Sequence, residues 1–174
     1  MSEDWSKPHD IDLLADGHAS IAFAIPLVAF PRLAPQLARA DGMASGQARF
    51  AREAGTPVAH VRVQAHLALT CQRCMAPYEC AVDSDDTVAM VADGAGADAA
   101  PAGRETILAP ERRLSVRELV EEELLLALPI VPLHEPGECV GGLAAETSAP
   151  QAAAHEERQR PFAQLAELLK RDRH

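Results

Sequence analysis

Aromatic residues make up only 3% of this 174-residue chain, and lysine occurs just twice. With so few rings, a core has to be assembled mostly from Ala, Val and Leu. No stretch approaches the roughly 20 apolar residues that a membrane-spanning helix requires. The most apolar run, IAFAIPLVAF (21–30), is interrupted by Pro26, and the segment before it is acidic where a signal peptide would be positive. A cytoplasmic protein that does not enter the membrane is therefore expected. Catalytic signatures are missing as well: there is no G-x-x-x-x-G-K-[ST], no strand-anchored G-x-G-x-x-G, no G-x-S-x-G and no H-E-x-x-H. The seven histidines are scattered, and His60 and His66 read as ordinary surface residues of a strand. No enzyme and no small-molecule substrate is expected.

What is present points to a folded chain: 48% of residues are hydrophobic, enough for a core at this length. The formal charge of −10 argues against a protein that simply coats phosphate backbones. Charge is unevenly placed, however. Residues 32–73 carry Arg32, Arg39, Arg49, Arg52, Arg62 and Arg73 against Asp41 and Glu53, whereas residues 75–103 carry acids and no base. A solvated surface is the default reading of such runs. A local arginine face suited to bidentate phosphate or carboxylate contact is the alternative.

The clearest strand is HVRVQAHLALTC (60–71), where Val61, Val63, Ala65, Leu67, Leu69 and Cys71 share one face. IAFAIPLVAF and QARFAREAG (47–55) supply strands before it, and APYECAV (76–82) and DTVAMVAD (86–93) two returning strands after it. LAPQLARADG (33–42) suggests a short helix, and residues 92–105 a long loop. LSVRELVEEELLLALP (114–129) is a helix opened by a Ser115/Glu118 capping box and closed by Pro129. Val116, Leu119, Val120, Leu124 and Ala127 line its apolar stripe, and Glu121, Glu122 and Glu123 read as a solvated edge rather than as catalytic acids. PFAQLAELLKRDRH (161–174) reads as a short amphipathic helix with Phe162, Leu165, Leu168 and Leu169 on one side, too short to stand alone in water. The expected fold is α+β, an antiparallel β-meander packed against one main helix with a tethered C-terminal helix. The expected organisation is a flexible acidic tail at 1–17, the folded domain at 18–142, a linker at 143–159 and the terminal helix at 160–174.

Three of the four cysteines fall within LTCQRCMAPYEC (69–80), two of them as C-x-x-C. In a reducing compartment such a pair packs, holds metal or does redox chemistry. Zinc needs four ligands, and Cys139 and His134 could complete Cys71 and Cys74. Cys80 is a weaker choice, because strand alternation turns it into the sheet. A redox pair needs a helix N-terminus, and the Pro in MAPYEC argues against one. Packing is the first reading, zinc the second, redox the third, and zinc is the one candidate cofactor.

Three segments together, LTCQRC (69–74), LVEEELLLALPIVPLHEPGEC (119–139) and RPFAQLAELLK (160–170), resemble the YceD family, the large ribosomal RNA subunit accumulation proteins. Cys71, Arg73 and Cys74 match its C-x-R-C signature. Glu121, Glu123, Leu126, Pro129, Pro132 and Cys139 match its helix and following turn, and Pro161, Phe162, Leu165 and Lys170 its closing segment. The departures are Ser115 at the cap, Arg160 before Pro-Phe, the extra Cys80, and a single downstream cysteine where many relatives have a cluster. The resemblance implies a non-enzymatic part in the synthesis, processing or stability of large-subunit rRNA. The implied partner is an rRNA precursor or a ribosomal or assembly protein. Arg62 and Arg73 are the first candidates for RNA contact, and Phe162, Leu165 and Leu169 for docking on a partner. An adaptor role is slightly favoured over direct RNA contact. The alternative from another class is a zinc- or thiol-dependent regulatory protein without a direct rRNA role.

Overall fold

Strand β4 (Thr56–Thr70) is the axis of the molecule. In the computed structural model, which describes residues 4–94, 96 and 104–139, its odd-numbered residues from Ala59 to Leu69 are all buried. The even-numbered ones (Arg62, Gln64, His66) point outward, as a period of two on a half-buried sheet requires. β3 (Met43–Glu53) and β5 (Pro77–Val91) flank β4 antiparallel, β2 (Ser20–Pro26) pairs with β3, and β6 (Glu105–Leu108) lies parallel to the end of β5. The order is β2-β3-β4-β5-β6. The β3–β4 contact is so close at Gly46 that a Cβ there would sit 1.9 Å from the Arg62 carbonyl oxygen and 3.0 Å from the Phe23 ring.

The second layer is α2 (Val116–Ala127). Its capping box forms as the sequence indicates: the Ser115 hydroxyl accepts from the Glu118 N–H, and the Glu118 carboxylate accepts from the Ser115 N–H. Val116, Leu119, Val120 and Leu124 enter one core with Phe23, Ile25, Val61, Leu67 and Met90. The fold is thus α+β.

Several expectations are corrected. Residues read as part of a loose acidic tail are folded: β1 (His9–Asp10) pairs with β7 (Arg113–Leu114), and Asp10 caps α1 (Ile11–Asp16). Ile11 and Ala15 of α1 are fully buried, and its acids are neutralised by Arg52 and Arg112, so the charge does not keep it in solution. The helix expected over 33–42 is only a 3-10 turn, Ala34–Gln36, because the chain turns extended at Leu37 and the Ala38 N–H bonds to Ala68 O at the end of β4 instead of continuing the helix. The two returning strands are one continuous β5. The acidic stretch Asp83–Asp86 that breaks the apolar pattern stays in register because Asp85 pairs with Arg62 and Asp83 accepts from Gln64. β6 begins at the last residue of the loop the sequence suggests (92–105) and runs on through residues for which no element was expected. Ala127 is exposed, while Glu121 and Glu123 are buried. The expected C-terminal helix and linker lie outside the described residues.

Candidate metal centre

The C-x-x-C pair occupies the turn between β4 and β5. Cys71 follows the last residue of β4, its carbonyl accepts from the Met75 N–H (2.9 Å), and its own N–H donates to Ala76 O (3.0 Å). Met75 takes a left-handed φ of 61°, uncommon without a glycine. Across from this knuckle runs the segment after α2, held by the Gln72 N–H on Pro132 O (2.9 Å). That segment then turns at Gly137 (φ 95°), with the Glu138 N–H on Glu135 O, which returns Cys139 to the knuckle. Pro129, Pro132 and Pro136 keep it extended and out of any helix.

One potential ligand atom from each of Cys71, Cys74, His134 and Cys139 lies within 4.8 Å of all the others. The separations are 3.8 Å for Cys71 Sγ–Cys139 Sγ, 3.4 Å for Cys74 Sγ–His134 Nδ1 and 3.8 Å for Cys139 Sγ–His134 Nδ1. A tetrahedron built on zinc bond lengths of about 2.3 Å to sulfur and about 2.0–2.1 Å to nitrogen has edges of roughly 3.8 Å between sulfurs and roughly 3.6 Å from sulfur to nitrogen. The four side chains therefore already stand near the corners of a zinc-sized tetrahedron, with a Cys3His donor set of the kind used in closed structural sites. All four cysteines are free thiols, and Cys80 stays outside the cluster, packed against the core. Of the sequence readings, packing alone does not explain why four donors converge.

At Cys71 the surroundings favour thiolate. Burial alone would raise the Cys71 pKa, but N–H groups of His134, Cys74 and Arg73 aimed at its sulfur outweigh burial and bring it down to about 5. At Cys74 a hydrogen bond from the Ala76 N–H lowers the thiol's pKa, but burial and then the Cys139 and Cys71 sulfurs outweigh it, and the net shift is upward. Arg73 donates from Nε to Cys139 Sγ (3.0 Å) and from its terminal nitrogen to His134 O and Glu135 O (3.2 and 3.4 Å). Three thiolates around a divalent ion leave one excess negative charge, which the Arg73 guanidinium matches. Tyr78 packs its ring 5.1 Å from the His134 ring. Such outer contacts orient metal ligands and tune their basicity.

A family model described as "Large ribosomal RNA subunit accumulation protein YceD" matches residues 59–169, which contain this cluster and both elements that carry it. The chain belongs to the YceD family. A Haemophilus influenzae protein named "Large ribosomal RNA subunit accumulation protein YceD" is similar, 33% identical over 108 residues; the aligned stretch covers 62% of this chain and 62% of that relative. No solved structure matches. No described helix of this YceD-family chain is long and apolar enough to cross a membrane.

The other candidate residues fall differently. Arg62 pairs with Asp85 at the surface (2.6 Å) with most of its side chain exposed, whereas Arg73 is committed to the cysteine cluster. Phe162, Leu165 and Leu169 lie outside the described residues. Helical periodicity also missed Glu121: its carboxylate accepts from the Arg32 and Leu33 N–H groups (2.6 and 3.0 Å), the second of them buried, and ties the 30–36 segment to α2. The family resemblance carried the one signal for it, since Glu121 and Glu123 both stand at matched positions.

Proposed function

We propose that this protein is a non-enzymatic factor supporting accumulation of large-subunit rRNA, acting as a protein adaptor on assembly intermediates, with a structural zinc ion at Cys71, Cys74, His134 and Cys139. The ion supplies a crosslink between the β4–β5 turn and the segment after α2. The observation that carries the adaptor reading is the state of the arginines. Of the ten among the described residues, Arg32, Arg39, Arg52, Arg62, Arg104 and Arg112 are in ion pairs with carboxylates, and Arg73 is committed to the thiol cluster. A phosphate would have to displace an existing carboxylate at each pair, on a chain of net charge −10. Beside the cluster, Met75, Ile130, Val131 and Leu133 are exposed, and an apolar patch around a rigid centre suits a protein partner better than a nucleic acid. The family's description ties it to rRNA, which leaves a thiol-dependent regulator without any rRNA role the less favoured alternative.

The test is recovery of tagged protein from growing cells at low salt, with half the eluate treated with RNase and both RNA and proteins identified. A defined ribosomal or assembly protein retained after RNase, and lost on deleting 160–174 or with Phe162→Ala, is expected. Binding of naked rRNA by the purified chain, steeply salt-dependent and flattened by Arg62→Ala with Arg73→Ala, would overturn the adaptor reading in favour of direct contact.

A further inference from the structure

The β6 edge and α2 enclose a cavity of about 480 Å³ whose floor is apolar, with Val88, Ile107 and Leu114 beneath and the exposed side chains of Leu108 and Leu126 at its mouth. A second hollow continues from it and shares Glu105, Glu123 and Leu126. All four residues of β6 line the first cavity, and among the described residues no strand pairs with the outer edge of β6, so its backbone donors and acceptors on that side are free. The lining carries more acid than base: Glu105, Glu118, Glu121, Glu122 and Glu123 against three arginines, with Glu122 paired to Arg32, Glu118 held in the capping box and Glu123 buried, and Asp83 and Asp86 extend the acid along the second hollow. Of the arginines, Arg32 is neutralised by Glu122 and Arg113 is turned to Pro8 O, while the Nε of Arg117 is buried without any hydrogen-bond partner.

We propose that this groove is a docking site for an extended, basic segment of a partner protein, which adds as a sixth strand to the free edge of β6. The inference rests on the adaptor reading and names the chemistry of a partner. The free edge selects an extended backbone, which a helix cannot satisfy, and the leucines at the mouth receive alternate side chains. The carboxylate rim selects Lys or Arg at the positions between, and it repels a phosphate chain. A second copy of this chain is a poor occupant, because its own β6, Glu105–Leu108, carries an acid and no lysine or arginine to meet the carboxylates of the groove.

The experiment uses the full chain and three fluorescein-labelled ten-residue probes: alternating lysine and valine, alternating glutamate and valine, and the lysine–valine sequence N-methylated at every second residue. The lysine–valine probe is expected to bind and to shift the amide resonances of residues 105–108. The glutamate and N-methylated probes are expected to bind at least tenfold more weakly. Leu126→Lys and Leu108→Lys, both at exposed positions, should weaken the lysine–valine probe at least tenfold, whereas Leu13→Lys, equally exposed but on α1, should not. Thermal melts establish that each variant is folded. Equal binding of the N-methylated or acidic probe, or unchanged affinity in folded Leu126→Lys, overturns the proposal. If no probe binds but an RNase-resistant protein companion is still recovered from cells, the groove inference fails and the adaptor reading survives. If the probe binds in the groove but no companion is retained, the adaptor reading fails instead.

Discussion

Replacing Glu123 by Gln should make the protein more stable at alkaline pH, and the size of the effect follows from where this side chain sits. Glu123 is only 4% exposed, on the face of α2 that meets β5. The even-numbered residues of β5 face the helix, and in the stretch opposite Glu123 these are Ser84 and Asp86 rather than aliphatic groups. Burial, the nearby charges of Asp86, Glu105 and Glu122, and only one weak donor (Ser84 Oγ, 3.3 Å) together push its pKa from 4.5 to about 7, with burial the largest cause. The folded state therefore holds a proton that the unfolded chain releases near pH 4.5. The stabilisation is complete below that pH and is lost as pH rises toward 7. At about 1.4 kcal/mol for each tenfold change in proton affinity, and allowing for water reaching the residue through the adjoining groove, the loss is about 2 to 3 kcal/mol.

Gln mimics the protonated acid and cannot ionise. Urea unfolding followed by circular dichroism at pH 4, 5, 7 and 8.5 should show the two proteins nearly equal at pH 4 and about 1 kcal/mol or less apart at pH 5. Glu123→Gln should be the more stable by about 2 to 3 kcal/mol at pH 8.5, with unchanged dependence on urea. Because every other titrating group is common to both chains, the difference isolates this one residue. Parallel pH profiles, or a variant less stable than the parent at pH 8.5, would refute the account of Glu123 as a buried acid among like charges.

Metal analysis of the reduced, purified protein should find about one zinc per chain, lost with Cys71→Ser and retained with Cys80→Ser, and chelator should lower the melting temperature of the parent. Arg73→Ala should weaken zinc affinity roughly 10- to 100-fold, as measured by competition with a chromophoric chelator, because it removes the donor on Cys139 and the two that fix the 134–135 carbonyls. Glu121→Ala should destabilise by about 2 to 4 kcal/mol in urea unfolding, since two N–H groups lose a charged acceptor, and Glu121→Gln should recover part of that loss. Gly46→Ala should cost about 1 to 3 kcal/mol through the clash with the Arg62 carbonyl, read as a lowered urea midpoint; a neutral result would mean that β3 and β4 part easily.

Local pattern alone determined much of this protein. The period-two alternation from Val61 to Cys71 gives β4 and its buried face, because a strand turns successive side chains to opposite sides. The Ser115/Glu118 box and Pro129 bound α2, because caps and ring closure act within one turn of the chain. The four donors of the candidate metal centre were legible as residue types at plausible spacings, since C-x-x-C can present two sulfurs from one turn. That all four meet was decided by tertiary structure. Cys139 reaches Cys71 only because Pro132 O accepts from Gln72 across the fold and Gly137 turns the chain back. The packed helix α1 at the N-terminus, the parallel edge strand β6 and the burial of Glu121 and Glu123 left no local trace. Each depends on a partner far along the chain: Arg52 and Arg112 for the acids of α1, β5 for β6, and the Arg32–Leu33 backbone for Glu121. A charged residue reads as exposed until its partner is known, and a partner brought near by folding has no fixed distance in sequence.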